Sequence, residues 1–264
     1  MKLENIKAII FDIDSTAIPN GRWTHPTKEV VSACKKATKV GLILAPATGR
    51  NYKFCKYILE ELNITSKSIV AAGTQIIDPK NGNEVWSTSL TETSVGYALN
   101  LLKPFDCKIL IDDDTPEEAL TVGLIKISKY RLLDVQDIPN NKIDALIVNL
   151  KKHANLSVVK VSSVNTGFSN LHITHKKATK EHAINVWLKL YNLTKSEVAG
   201  VGDGSNDLEL FKSVGFKVAM GNAVPELKLA ANIVIDSVEN NGFATFVTQV
   251  VDSKTKTRHH APGL

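Results

Sequence analysis

The chain is poor in the features that would place a protein outside the cytoplasm or in a membrane. Its 264 residues include three cysteines, Cys34, Cys55 and Cys107. An odd count without metal-ligand spacing argues against a disulfide framework and reads as reduced thiols. No apolar run approaches the roughly 20 residues that cross a bilayer. Glu4 and Asp12 interrupt any leader-like stretch near the start. The expectation is a soluble, cytoplasmic protein with no membrane contact. Arginine is scarce, with only Arg22, Arg50, Arg131 and Arg258 among 32 basic residues, and aromatic residues make up 6%. Nucleic-acid surfaces usually cluster arginine among aromatics, so no nucleic-acid partner is expected. The net charge of +5 is spread over single lysines and pairs, a balance that suits a small anionic ligand.

What is present begins with Ala8-Ile9-Ile10-Phe11, an apolar run feeding into Asp12-Ile13-Asp14-Ser15-Thr16. A buried strand over about 6–12 would release both aspartates at its C-terminal end, where ligands sit in an open α/β sheet. A carboxylate buried there is costly without a cation or hydrogen-bond donors. Taken alone, the pair fits a surface turn equally well. Residues 27–39 place Val30, Cys34 and Ala37 at helical spacing, and Gly41 stops the helix. A second strand is expected at 42–45, ending in Pro46-Ala47-Thr48-Gly49-Arg50. A helix at 51–62 and a third strand at 69–72 follow. This βαβαβ order predicts an α/β fold, a doubly wound parallel sheet of Rossmann-like form.

The rhythm breaks after Gly73. The turn residues of 78–83 predict a hairpin between 75–77 and 84–86. Strands are expected at 107–111, 144–148, 157–163 and 171–174. Little room remains between Val148 and Ser157 for a full helix. Residues 81–171 thus read as an inserted α+β domain, trimmed in helix. The βα order then resumes with a helix to about 191, which Thr179 can cap. A strand at 197–201 ends in Gly202-Asp203-Gly204-Ser205-Asn206-Asp207. A short helix, a strand at 217–220, a helix at 225–231, an edge strand at 233–235 and a helix at 243–251 complete the core. The core domain is therefore 1–80 with 172–251, and 252–264 is expected to be a disordered basic tail.

Three strand ends and one helix start carry polar signatures: Asp12 with Asp14, Thr48-Gly49, Lys180, and Asp203 with Asn206-Asp207. Several carboxylates can hold a hard cation such as Mg²⁺. A hydroxyl, backbone N–H groups and an ammonium can hold a phosphoryl group, and an Asp can act as nucleophile. Each piece has a plainer reading. Asp203 and Asp207 can cap a helix, and Thr48-Gly49 can be a strand-to-helix turn. Asp112-Asp113-Asp114 with Thr115-Pro116-Glu117-Glu118 reads as a solvated turn into a helix. His172, His175 and His182 read as surface or satisfied structure, and His259-His260 is too short for a metal site. Trp23 reads either as an entrance residue or as an aromatic packed on a helix.

In order, these four signatures resemble the motifs of the haloacid dehalogenase (HAD) superfamily. Ala219-Met220-Gly221-Asn222-Ala223 is similar to the stretch that follows them in the Cof-type phosphatases of subfamily IIB. About 34 residues separate Asp14 from Thr48 and about 130 separate Thr48 from Lys180, so a cap domain fits only the second gap, as in Cof-like members. The resemblance implies Asp12 as nucleophile and Mg²⁺ ligand. It implies Asp14 as acid/base, with its main-chain carbonyl on the metal; an unperturbed Asp titrates near 3.9, so proton donation calls for an upward shift. Thr48, Gly49, Ile13 and Asn206 would hold phosphate, Lys180 would neutralise charge, and Asp203 and Asp207 would serve the metal, Asp207 from further out. Lys176 and Lys177 are rivals of Lys180, which alone sits at the helix start. Ser15 stands where the subfamily usually has Gly, and Ala72-Gly73 where Asn-Gly is common.

The implied activity is a Mg²⁺-dependent phosphatase acting on a small phosphorylated metabolite, a sugar phosphate by family likeness, through an aspartyl-phosphate. A phosphosugar mutase would grip a second phosphate with arginines, and the inserted region has only Arg131. A non-catalytic phosphometabolite-binding regulator would not need both Asp12 and Asp14. Lys126, Tyr130 and Arg131 are candidates for substrate choice. A monomer or homodimer is expected.

Overall fold

The computed structural model describes residues 2–21, 23–112, 130–163 and 165–259. The elements run β1 (Ala8–Phe11), α1 (Lys28–Lys39), β2 (Ile43–Pro46), α2 (Tyr52–Glu61), β3 (Ser68–Val70), β4 (Gln75–Ile77) and β5 (Glu84–Ser87). Next come α3 (Glu92–Leu102), β6 (Lys108–Asp112), β7 (Leu132–Pro139), α4 (Asn140–Leu150), β8 (Leu156–Ser162) and β9 (Phe168–His175). The chain ends with α5 (Lys180–Leu190), β10 (Val198–Gly202), α6 (Asp207–Lys212), β11 (Phe216–Ala219), α7 (Pro225–Ala230), β12 (Ile233–Val234) and α8 (Gly242–His259). Two compact units result, Met1–Val85 with Lys180–Leu264, and Trp86–Thr179.

The first unit is built on a five-stranded sheet in the order β12-β11-β10-β1-β2, every pairing parallel. Strands β1 and β10 are buried at every residue, as expected for central strands covered on both faces. Thr27 starts α1, its Oγ1 accepting from Val30 N at 3.3 Å. Val30, Ala33, Cys34 and Ala37 then make one buried stripe. Phe11 meets Phe243 of α8 with ring centroids 4.6 Å apart. Because β1, β2 and β10 run parallel, Asp12, Thr48 and Asp203 leave the same edge of the sheet.

The expected third parallel strand is shorter and placed elsewhere. β3 pairs antiparallel with β4 in a separate sheet ordered β3-β4-β5, and touches the β2 extension through one bridge, Ala47 to Ile69. Ala71 and Ala72 adopt left-handed backbone, φ 49° and 55°. They fold the chain back before a longer strand can form.

The second unit is a four-stranded antiparallel sheet, β6-β7-β9-β8, whose core includes Val95 and Leu99 of α3 and Ile143, Leu146 and Leu150 of α4. The strand expected at 144–148 is helical, and the helix thought trimmed away is α4 itself. β-branched Ile147 and Val148 suit a strand. Yet Ile143, Leu146 and Leu150 recur at helical spacing and are buried, while Val148 is 62% exposed. At the other end of the chain, α8 continues to His259, so residues 252–259 are helix rather than irregular tail. No glycine or proline interrupts that stretch, and Thr255 Oγ1 donates to Val251 O at 2.7 Å. Residues 113–118, Lys126 and His260 lie outside the described residues.

Candidate active site

Asp12 follows β1 directly and is buried. Its Oδ1 accepts from Ile13 N at 2.8 Å. Lys180 opens α5 and is also buried; its Nζ donates to Asp12 Oδ2 at 3.0 Å and to Asp207 Oδ1 at 2.8 Å. The other oxygen of Asp207 accepts from the main-chain N–H groups of Asp203 and Gly204, at 3.0 and 3.1 Å. A Cβ at Gly202 would lie 2.5 Å from Asp207 Cγ, so only glycine lets this carboxylate fold back against the strand end. Thr16 Oγ1 donates to Asp203 Oδ1 at 2.8 Å. Oxygens of Asp12, Asp203 and Asp207 lie within 4.8 Å of one another. Of the three lysines weighed from sequence, Lys176 and Lys177 are exposed, in the other unit.

Asp14 is not part of this cluster. Its side chain is gripped by Arg50, Nε to Oδ2 at 2.8 Å and one terminal nitrogen to Oδ1 at 2.5 Å. Arg50 also donates to Gly21 O at 2.6 Å and, more weakly, to Phe54 O and Tyr57 Oη at 3.3 and 3.4 Å. It thereby ties the loop after Asp14 to the start of α2. Thr48 is buried, and its Oγ1 accepts from Arg50 N at 3.1 Å. Gly49 and Asn206 are exposed. Ala72 N and Ala71 N close the same loop onto Thr48 O and Arg50 O, at 3.1 and 2.7 Å. Trp23 is 64% exposed and packs on Tyr57 of α2. His172 and His175 face Asp134 and Thr88 within the second unit.

Sequence reasoning missed Arg50 and Thr16 as partners of site carboxylates. Their signal was adjacency, Arg50 ending the Thr48-Gly49 run and Thr16 ending the Asp12-Asp14 run.

The electrostatics show unmet negative charge. Burial pushes the Asp12 carboxyl up to about 7; Lys180 opposes this, while Asp207 and Asp203 add to it. Asp203 rises to about 6, again chiefly through burial, against the Thr16 hydrogen bond and with repulsion from Asp207. Burial works against the Lys180 ammonium, yet Asp12 and Asp207 outweigh it and the net shift is upward. Among the described residues, four carboxylates, with Asp14 included, stand against two fixed cations, Lys180 and Arg50. A divalent cation held by oxygens is the species that relieves such a set.

The family model of the haloacid dehalogenase-like hydrolases matches residues 9–120 and 123–247. The chain belongs to the haloacid dehalogenase-like hydrolases. Among its relatives is phosphoglycolate phosphatase 1 of Saccharolobus solfataricus, 26% identical over 246 residues that span 93% of this chain and 96% of that one. HMP-PP phosphatase of Serratia proteamaculans is 24% identical over 238 residues, 83% and 85% of the two chains. A solved HAD-superfamily phosphatase of Bacteroides thetaiotaomicron superposes with a TM-score of 0.78 over 94% of this chain and 96% of that one, at 18% identity, which shows the fold. Family and relatives together make this hydrolase a Cof-type phosphatase, a phosphoric monoester hydrolase acting on small phosphorylated compounds. The family generally uses a divalent metal, and the Asp12, Asp203 and Asp207 cluster can hold one. Among the described residues, no helix is long and apolar enough to cross a membrane.

Proposed function

We propose that the protein is a cytoplasmic, Mg²⁺-dependent phosphatase that removes phosphate from a small metabolite, a sugar phosphate by family likeness, through an aspartyl-phosphate on Asp12. The observation that carries this is the buried Asp12–Lys180–Asp207 chain beside Asp203, at the edge where β1, β2 and β10 end. Asp12 and Asp203 would hold the metal with their side chains. Asp207 already accepts three donors, which suits an outer role. Bound Mg²⁺ would supply positive charge to a phosphoryl oxygen and to Asp12.

The remaining steps use this chain's own residues. An Asp12 oxygen attacks phosphorus, and the bond to the leaving alkoxide breaks. Asp14 gives its proton to that alkoxide, then takes one from the water that attacks the acyl phosphate, releasing phosphate and restoring Asp12. Lys180 offsets the charge shared by Asp12 and the phosphoryl group. Thr48, the Gly49 and Ile13 N–H groups and Asn206 would hold the phosphoryl oxygens. Arg50 orients Asp14 through both of its carboxylate oxygens, and one of them must be released to reach the leaving group. The relatives named above act on different phosphorylated compounds, so the substrate is a matter for assay.

The test is release of inorganic phosphate from a panel of phosphorylated metabolites, with Mg²⁺ and with chelator, for wild type and Asp12→Asn. Mg²⁺-dependent release abolished by the substitution is expected. Phosphate binding without release from any compound would favour a regulator, and positional transfer without release a mutase.

A further inference from the structure

We infer that Glu209 is a positioning residue for Lys180, so that α6 holds this lysine at both ends; the inference rests on the role proposed above for Lys180. Glu209 lies two residues after Asp207 on α6. Its Oε2 accepts from the main-chain N of Lys180 at 2.9 Å, and the nearby Glu181 N–H also favours its charged form. These are the first N–H groups of α5, which have no partner within their own helix. A carboxylate at that end also meets the positive pole of the helix. One helix thus takes the ammonium of Lys180 through Asp207 and the main chain through Glu209.

The clamp itself is firmly seated. Asp207 is tied to the end of β10 by the Asp203 and Gly204 N–H groups. Leu210 is buried so tightly against β10 that a Cβ at Gly200 would overlap its side chain. The place of Lys180 in the chain gives the clamp a purpose. It is the first residue of the core unit after Thr179, where the chain leaves the inserted unit. Without an anchor on its main chain, any displacement carried along the chain through Thr179 would reach the ammonium between Asp12 and Asp207. A misplacement of about 1 Å in such a group costs about 100-fold in rate.

The experiment compares Glu209→Ala and Glu209→Gln, with Leu210→Val as a control for generally weakened α6 packing. Two readouts are taken. The first is kcat and KM for p-nitrophenyl phosphate with Mg²⁺. The second is the rate at which acetic anhydride acylates Lys180 in the metal-free protein, followed by mass spectrometry. Glu209→Ala is expected to lower kcat by about 10- to 100-fold with KM within about threefold, and to speed acylation of Lys180 over that of the exposed lysines. Glu209→Gln keeps an oxygen acceptor and should restore most of both. The inference is overturned if Glu209→Ala keeps wild-type kcat, if Gln is as damaging as Ala, or if Leu210→Val at a matched loss of Tm has the same effect on Lys180. A wild-type protein without turnover would sink the phosphatase reading and leave acylation to decide: a selective rise in Glu209→Ala supports the clamp, and no rise overturns it.

Discussion

The site has two ionic corners, and they are built on opposite plans. At one, the Lys180 side chain is 3% exposed and lies between two buried carboxylates. At the other, Arg50 grips Asp14, whose side chain is 31% exposed. The first pairing is locked on every side: Asp207 is spent on main-chain donors and Lys180 is held through its backbone. The second spans two loops 36 residues apart and borders water. A charge that must stay fixed is placed where its movement would expose unpaired neighbours. Asp14, the proposed acid/base, is placed where letting go of its partner costs less.

The largest effect should come from breaking the locked corner. Lys180→Met leaves Asp12 and Asp207 facing each other in a buried site. Removing one partner of a buried pair typically costs about 3–5 kcal/mol, and the charge proposed to neutralise the phosphoryl group goes with it. Turnover should fall by about a thousandfold or more, and thermal unfolding at pH 8 should move down by several degrees. The deficit should shrink in acid, where Asp12 takes up a proton. Equal deficits in acid and at pH 8 would mean that the lysine is held by packing alone.

Opening the other corner should do less and do it selectively. In Arg50→Ala, Asp14 loses the partner that orients it. Hydrolysis of an alkyl phosphate, which needs a proton on its leaving group, should drop by about 10- to 100-fold. Hydrolysis of p-nitrophenyl phosphate, whose leaving group departs unaided, should drop several times less. The ratio of the two rates is the decisive measurement, since a merely loosened loop would lower both alike.

The Asp12, Asp203 and Asp207 cluster can hold a divalent cation. Asp12 at about 7 and Asp203 at about 6 stand above the ordinary carboxylate value of 3.8. The folded metal-free protein therefore keeps protons that the unfolded chain releases. This contribution is whole below about pH 4 and is lost as pH rises through 6 and 7, at about 1.4 kcal/mol per pH unit for each proton. A divalent cation competes for the same oxygens. The rise in Tm on adding Mg²⁺ should thus be larger at pH 8 than at about pH 5.5. A rise independent of pH would place the metal on other residues.

These contrasts were unevenly legible in the sequence. The apolar runs before Asp12, Thr48 and Asp203 pointed to strands, and parallel pairing brings their ends together, so the locked corner could be read from motif and periodicity. The Arg50 grip could not, because it depends on how two loops meet. The helix α4 was hidden for another reason: β-branched Ile147 and Val148 suit a strand, although Ile143, Leu146 and Leu150 carry helical spacing. The backbone at Ala71 and Ala72 was hidden too, since alanine gives no warning of a positive φ.

Ser15 belongs with those alanines and offers the smallest and sharpest test. It stands where the subfamily usually has glycine, and its N–H is unchanged by that exchange. Its φ is 53°, a conformation that costs a residue with a Cβ about 1–2 kcal/mol and costs glycine almost nothing. Its carbonyl accepts from Asn222 Nδ2 at 2.8 Å, a bond that glycine would keep. Ser15→Gly should therefore stabilise the protein by about 0.5–1 kcal/mol after the extra entropy of unfolded glycine is offset, measurable in urea unfolding. The residue sits next to Asp14, so the same variant probes the open corner. If that corner works by letting Asp14 move away from Arg50, added backbone freedom beside it should leave kcat within about twofold. A large loss of kcat with the expected gain in stability would show instead that the left-handed serine holds Asp14 in register, and that the second corner is nearly as fixed as the first.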